Sequence, residues 1–295
     1  MSAFQVATTP LLDIAYLGYG SSDGEVVVLS HGFPYDVRSY ADVAPILAER
    51  GLRVIVPWLR GYGPTRFRDP AIMRSGQQAA LGRDLVDLLD ALGIENAVVG
   101  GYDWGGRASC VAAALHPERI RGLVTVDGYN IQDIDQQTAP AAPHAEKNMW
   151  YQQYFQSDRG RAGLVMNRRE LCRLLWNDWS PSWAGADDAF EASADSLNNP
   201  DFVDVVIHSY RHRRRAAAGD TRYDDDERAL AATPAITVPA VVLSGRDKGM
   251  GFSDPEDDRK LFVGGFEGRV LDGVGHNPPQ EAPAAFADAV LSLSD

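Results

Sequence analysis

Only two cysteines, Cys110 and Cys172, occur in 295 residues. They cannot make a disulfide framework, and their scarcity fits a reducing compartment, so a cytoplasmic location is expected. Basic residues are outnumbered, 28 Lys and Arg against 41 Asp and Glu, for a net charge of −13. That balance argues against nucleic acid or an anionic membrane as the principal partner. No apolar run approaches the roughly 20 residues of a membrane-spanning helix. The first stretch, MSAFQVATTPLLD, has neither the basic n-region nor the apolar h-region of a signal peptide. The glycine-rich segment GYGSSDG at 18–24 misses the spacing of a dinucleotide fingerprint and joins two predicted strands, so it reads as a hairpin turn. His208 and His212 have the spacing of a metal pair but no intervening HExxH glutamate and no evident third ligand, which assigns them to packing. No cofactor and no metal are expected. Internal repeats and low-complexity segments are also missing.

What remains is a soluble globular chain, 45% hydrophobic and 23% charged, long enough for one large α/β domain with an insertion. Strand patterns at 4–8, 11–17, 25–30, 52–58, 96–100 and 120–126 are interleaved with helical ones near 39–49, 79–92 and 104–115. From about 131 to 232 the strand rhythm stops, and helices are predicted near 145–157, 165–178, 187–197 and 199–215. Strand patterns resume at 236–243 and 267–271, followed by a helix over 281–293. The expectation is an α/β fold with a mostly parallel eight-stranded sheet. Its core would be 1–130 and 233–295, with 131–232 inserted as a helical cap.

The chemistry is concentrated in VVGGYDWGGRASCVAAA at 98–114. A buried strand ends at Gly100-Gly101, Asp103 sits at the turn, and a small-residue helix follows, which is the strand–turn–helix pattern of a nucleophile elbow with Asp where Ser is usual. Asp247, in Gly245-Arg246-Asp247, and His276, in Gly275-His276-Asn277, follow later strands in the order nucleophile, acid, histidine. Asp127, after the strand at 120–126, is a rival for the acid. The nucleophile restricts the electrophile. A serine attacking saturated carbon would leave an ether, which an activated water does not readily cleave. A carboxylate leaves an ester, which water can open at its acyl carbon, and Asp is already ionised near neutrality. The expected substrate is an sp³ carbon with a leaving group, an epoxide or an organohalide.

The motifs His31-Gly32-Phe33-Pro34, Gly101-Tyr102-Asp103-Trp104-Gly105-Gly106, Asp247 and His276 resemble those of α/β-hydrolase-fold epoxide hydrolases and their dehalogenase relatives. The resemblance implies two cap tyrosines that donate to the epoxide oxygen, Tyr151 in WYQQYF and Tyr210 in SYR, with Tyr154 one turn from the first. It also implies an oxyanion hole from the backbone N–H groups of Phe33 and Trp104, aimed by a cis peptide before Pro34. Hydrolysis of epoxides to diols is the leading expectation, and hydrolytic dehalogenation the alternative. Against the alternative, Phe33 stands where haloalkane dehalogenases carry a polar halide partner. Fluoroacetate dehalogenases share Arg107 but carry arginine where this chain has Trp104. Tyr102 and Tyr35 depart from the usual His and acidic residue. The basic run Arg211 to Arg215 followed by Asp224-Asp225-Asp226-Glu227 is expected to neutralise itself on the surface, and Trp150, Trp176, Trp179 and Trp183 to form the cap's core. The partners expected are a small hydrophobic epoxide or organohalide and water, with the chain a monomer or homodimer.

Overall fold

In the computed structural model, residues 4–134 and 139–294 are described; the first three residues of the N-terminal stretch lie outside them. The strands are β1 (Gln5–Thr8), β2 (Leu12–Tyr19), β3 (Val26–Ser30), β4 (Arg53–Pro57), β5 (Arg66–Phe67), β6 (Ala97–Gly101), β7 (Ile120–Val126), β8 (Ala240–Gly245) and β9 (Phe266–Leu271). They form one sheet in the order β1-β2-β4-β3-β6-β7-β8-β9, with the two-residue β5 added on β2. The expected eight strands are present and β5 makes a ninth. It escapes sequence reading because two residues carry no periodicity. Pairing is antiparallel where β2 meets β1, β4 and β5, and parallel from β4 through β3 to β9.

The central strands are apolar along their whole length because both faces are covered. Alternate residues go to opposite cores: Val27, Leu29, Val98 and Val124 to one, Val28, Val99, Leu123 and Val242 to the other. Chain order reverses at β3, which has β4 on one side and β6 on the other. The carboxyl ends of β3 and β6 therefore open a crevice at the switch point, and His31 and Asp103 follow those ends.

The helices before β8 are α1 (Val43–Glu49), α2 (Gln78–Ala91), α3 (Asp103–Leu115), α4 (Pro143–Asn148), α5 (Trp150–Tyr154), α6 (Asp158–Met166), α7 (Arg168–Trp179), α8 (Ala186–Ser193), α9 (Phe202–Arg213) and α10 (Asp224–Ala231); α11 (Pro278–Glu281) and α12 (Pro283–Leu291) follow β9. Between β7 and β8 the described residues form helices and no strand. The helix expected over 145–157 is divided into α4 and α5, and α6 fills a stretch read as non-helical. Ser157 starts α6 by accepting from the Gly160 N–H at 3.0 Å. The strand expected at 236–243 begins only at Ala240, since Pro239 has no N–H to give a ladder. None of the helices among the described residues is long and apolar enough to cross a membrane.

The helical block is tied to the sheet domain by specific bonds. Trp176 Nε1 donates to Pro34 O (3.0 Å), and Ser196 Oγ donates to Asp36 (2.6 Å) while accepting from Trp58 Nε1 (3.1 Å). Beneath β3 and β4, Arg60 and Asp84 form a buried bidentate pair, Nε and Nη2 each 2.6 Å from a carboxylate oxygen, with Nη1 on Ser75 O at 2.8 Å. Leaving one partner buried alone is the costly change. Asp84→Asn is accordingly expected to lower the free energy of unfolding by about 3–5 kcal/mol, read as a fall in the urea midpoint. A loss below about 1 kcal/mol, the range of exposed pairs, would contradict this.

Candidate active site

The turn from β6 into α3 imposes a left-handed backbone on Asp103, φ 50°, a strain retained because the surroundings over-determine it. A Cβ on Gly101 would lie 2.3 Å from the Gly105 carbonyl carbon, and one on Gly105 would lie 1.9 Å from Ser30 O. Only glycine lets the helix start so close to β3 and β6. The turn brings Asp103 Oδ1 against two donors, the backbone N–H groups of Phe33 (2.7 Å) and Trp104 (2.6 Å). The Phe33–Pro34 peptide is cis.

Asp103 Oδ2 faces His276 Nε2 at 3.7 Å, and His276 Nδ1 faces Asp127 Oδ2, also at 3.7 Å. Both spans exceed a hydrogen bond and can tighten when the site is loaded. Asp127 is the carboxylate the fold brings to the histidine, and this corrects the placement expected for Asp247. Asp247 is exposed, and its backbone N–H donates to Val274 O at 2.9 Å. The loop after β8 instead contributes the next residue. Lys248 Nζ lies 2.8 Å from Asp127 Oδ1, which also accepts from Ser244 Oγ at 3.2 Å. Asp127 itself has a φ of 65°, the left-handed turn signature that Asp127-Gly128 at a strand end could have suggested.

His276 is held by a carboxylate not singled out in the sequence. Glu281 accepts from the N–H groups of Gly275 (2.6 Å) and Asn277 (2.9 Å) and from Ser180 Oγ (2.7 Å). Ser180 Oγ in turn accepts from the His276 N–H at 2.9 Å. Three consecutive backbone donors are thus fixed by one acid and one serine of the helical block. The edge of Trp179 packs against the imidazole, ring centres 5.0 Å apart.

Tyr151 and Tyr210, from α5 and α9, pack together against the Phe33 ring beside the elbow. Their ring centres are 5.4 Å apart, and Tyr210 lies 5.4 Å from Phe33 and 6.1 Å from Trp104. Both are buried. Tyr154 turns away, its ring against Trp150 and Phe155. Among the four cap tryptophans, Trp176 and Trp179 are fully buried whereas Trp150 is exposed. The basic run also differs from expectation. Arg211 pairs with Asp158, and Arg213 is buried with its guanidinium over the Tyr210 ring. His208 uses both ring nitrogens on backbone, accepting from Gly76 N and bonding Ala218 O, each at 3.0 Å. The groove of about 760 Å³ beside Phe4 and Trp58 shares no lining residue with the Asp103 site.

The electrostatics separate the groups. Burial pushes the Asp103 carboxyl up, but His276, the Phe33 N–H and the Arg213 charge outweigh it and hold it below the usual range. Asp127 is likewise held down, with Lys248 as the main opponent of burial. Burial pushes His276 down, yet Asp103 and Asp127 together carry it above an ordinary histidine. Burial raises both tyrosines, so they remain protonated donors. His31 is pushed down to about 4 by burial. Its Nε2 accepts from the Leu59 N–H, which leaves Nδ1 as the donor to Gly32 O. It is a neutral brace for the loop that carries Phe33.

A family model described as the alpha/beta hydrolase fold matches residues 25–254. Epoxide hydrolase A of Mycobacterium tuberculosis is 27% identical over 309 aligned positions, covering 93% of this chain and 91% of that protein. Epoxide hydrolase B of the same organism is 31% identical over 206 positions, 62% of this chain and 55% of that one. A crystal structure from Klebsiella pneumoniae, provisionally assigned as an epoxide hydrolase, superposes with a TM-score of 0.97 at 44% identity over 99% of this chain and 97% of that one. With its reversed strand order at β3 and its strained aspartate elbow, the chain belongs to the α/β-hydrolase-fold family.

Proposed function

We propose that this protein hydrolyses epoxides to vicinal diols through an ester on Asp103. The observation that carries the reading is the division of the Asp103 carboxylate: Oδ1 occupies two backbone N–H donors, and Oδ2 is left facing the histidine. Oδ2 attacks a ring carbon and the carbon–oxygen bond of the epoxide breaks. The electron pair stays on an oxygen that Tyr151 and Tyr210 hydrogen-bond, and one phenol transfers its proton there. His276 Nε2 then takes a proton from water, which attacks Cγ. The negative charge develops on Oδ1, already between the Phe33 and Trp104 N–H groups, where such donors stabilise it most. Collapse releases the diol, its second oxygen protonated by the imidazolium, and the proton left on the Asp103 carboxyl returns to the tyrosinate, which restores both carboxylate and phenol. Asp127, held by Lys248 and Ser244, orients His276 and supports its positive form.

The helical block over 131–232 acts in this reading as the cap that supplies both tyrosines and Ser180. His276→Gln leaves esterification possible and removes the base. Mixed with styrene oxide, that variant is expected to gain the mass of one epoxide on a peptide containing Asp103. Absence of any adduct across several epoxides, or halide release from organohalides without epoxide opening, would overturn the reading. Tyr210→Phe and Tyr151→Phe are each expected to slow the ester-forming step by about 10²-fold in rapid-quench single turnovers, with little effect on ester hydrolysis. Unchanged ester formation in either variant would remove that tyrosine from the assignment.

A further inference from the structure

The chain has three lysines, and the fold treats them differently: Lys147 and Lys260 are exposed, whereas Lys248 is buried. A buried ammonium is expensive to retain unless it is paired. Lys248 Nζ lies 2.8 Å from Asp127 Oδ1 and donates to Ser253 Oγ at 3.3 Å. The other oxygen of the same carboxylate faces His276 Nδ1 at 3.7 Å. One carboxylate thus stands between the imidazole and an ammonium. The loop after β8 is tied so as to keep that order. Arg246 and Asp247 give their backbone N–H groups to Leu271 O (3.0 Å) and Val274 O (2.9 Å), and the Gly249 N–H donates to Trp179 O at the end of α7 (3.1 Å). Between these ties Asp247 is exposed and Lys248 is turned in. The Trp179 ring, 5.0 Å from the imidazole, packs on His276 from the same place.

The other charged groups around this line are engaged elsewhere. Arg246 pairs with Asp272 on the surface, Asp258 accepts from the Tyr129 N–H at 2.8 Å, and Glu281 takes the Gly275 and Asn277 N–H groups. Among the described residues the charged groups that face the imidazole are Asp103 at Nε2 and Asp127 at Nδ1, with the Tyr35 and Tyr102 rings beside it. Asp103 loses its charge when the ester forms. His276 is then left beside Asp127 and Lys248, an anion and a cation that partly offset each other. Resting on the ester mechanism above, we propose that Lys248 is a positioning residue for the second step: it fixes Asp127 under His276, and its charge keeps the imidazole neutral, and so able to take a proton from water, at lower pH. A carboxylate without its cation would hold the imidazole protonated instead. Lysine suits the task because its compact ammonium engages one oxygen and leaves the other to the histidine, whereas a guanidinium fork favours both oxygens at once.

The test follows decay of the styrene oxide ester by rapid quench across pH, in the wild type and in Lys248→Met, Lys248→Gln and Lys248→Arg. The acid limb of ester hydrolysis is expected to move up by about one pH unit in the methionine and glutamine variants, so that on the limb the ester decays about tenfold more slowly. Asp127→Asn should move the same limb down, and opposite shifts from the two halves of one ion pair are not what a loosened fold produces. Glutamine can still donate to Asp127 but carries no charge, so a role in packing or hydrogen bonding alone predicts a wild-type limb for Lys248→Gln. Lys248→Arg keeps the charge and should keep the limb, whatever its plateau. A limb unmoved or lowered in Lys248→Gln, or raised in Lys248→Arg, overturns the proposal. The imidazole is also read without turnover. Asp103→Asn lacks the Asp103 charge, as the ester does, and NMR titration of His276 in that variant should give a pKa about one unit below that in Asp103→Asn combined with Lys248→Gln. Equal values overturn the proposal while an ester on Asp103 leaves epoxide hydrolysis standing; no ester in any of these proteins that retain Asp103 overturns the reading on which the proposal rests.

Discussion

Asp103→Asn is expected to lower kcat/KM toward epoxides by roughly 10⁴-fold or more, because it deletes the nucleophile rather than weakening a contact. The substitution is a clean one. Asparagine keeps an oxygen for the Phe33 and Trp104 N–H groups and tolerates the left-handed backbone at φ 50° better than most residues do. The fold should therefore persist, as followed by circular dichroism, while the ester no longer forms. Single turnover in ¹⁸O-water makes the same point on the wild type. The label should enter Asp103 first and the diol only in later cycles, because water attacks Cγ and not the substrate carbon. Direct incorporation into the first diol would rule out the ester route. Since Asp103 is held below the usual carboxylate range, ester formation is expected to stay flat with pH down to about pH 5, where an ordinary Asp is still ionised.

Asp127→Asn is expected to slow hydrolysis of the ester by about 10³–10⁴-fold, the cost of leaving a catalytic histidine with the wrong tautomer and no counter-charge. Asp247→Asn should stay within about twofold of wild type, as befits an exposed side chain. The pH dependence separates the two further. Asp103 and Asp127 both raise His276 in the free protein. Esterification removes the Asp103 charge, so only Asp127 still holds the imidazole up, and its neutral, basic form becomes easier to populate. Hydrolysis needs that neutral form. Its rate therefore falls as pH drops through the pKa of His276 in the intermediate, and adduct should accumulate at acid pH. Removing Asp127 takes away the remaining carboxylate, so the acid limb should move to lower pH while the plateau drops. A large effect at Asp247 with none at Asp127 would return the acid to the loop after β8.

The difference between these two aspartates marks how far the chain could be read without its fold. Both follow strands, both lie within two residues of a glycine, and the Gly245-Arg246-Asp247 spacing favours the one that the fold leaves exposed and away from His276. The choice depends on where two strand-end loops place their side chains, and Lys248, one residue away, is what turns the loop's contribution into a cation for Asp127. Tyr151 and Tyr154 are a similar case. One helical turn separates them, and only packing against Phe33, Trp179 and Tyr210 picks the first. Arg213 looked like one more member of a basic surface run, yet the roll of α9 buries it beside Tyr210. Glu281 and Ser180 had no signal at all, since their role is a set of bonds to backbone N–H groups 4–96 residues away.

The residues in chain order were enough for the alternation of strands and helices, the interruption after β7 and the aspartate elbow. Each of these rests on local periodicity, on glycine sterics or on the chemistry of one side chain, all of which are written in neighbouring residues. The partner of His276, the tyrosine that packs against Phe33 and the lysine that meets Asp127 became visible only in three dimensions. Those depend on contacts between segments far apart in the chain, where the direction of a side chain is set by packing and charge.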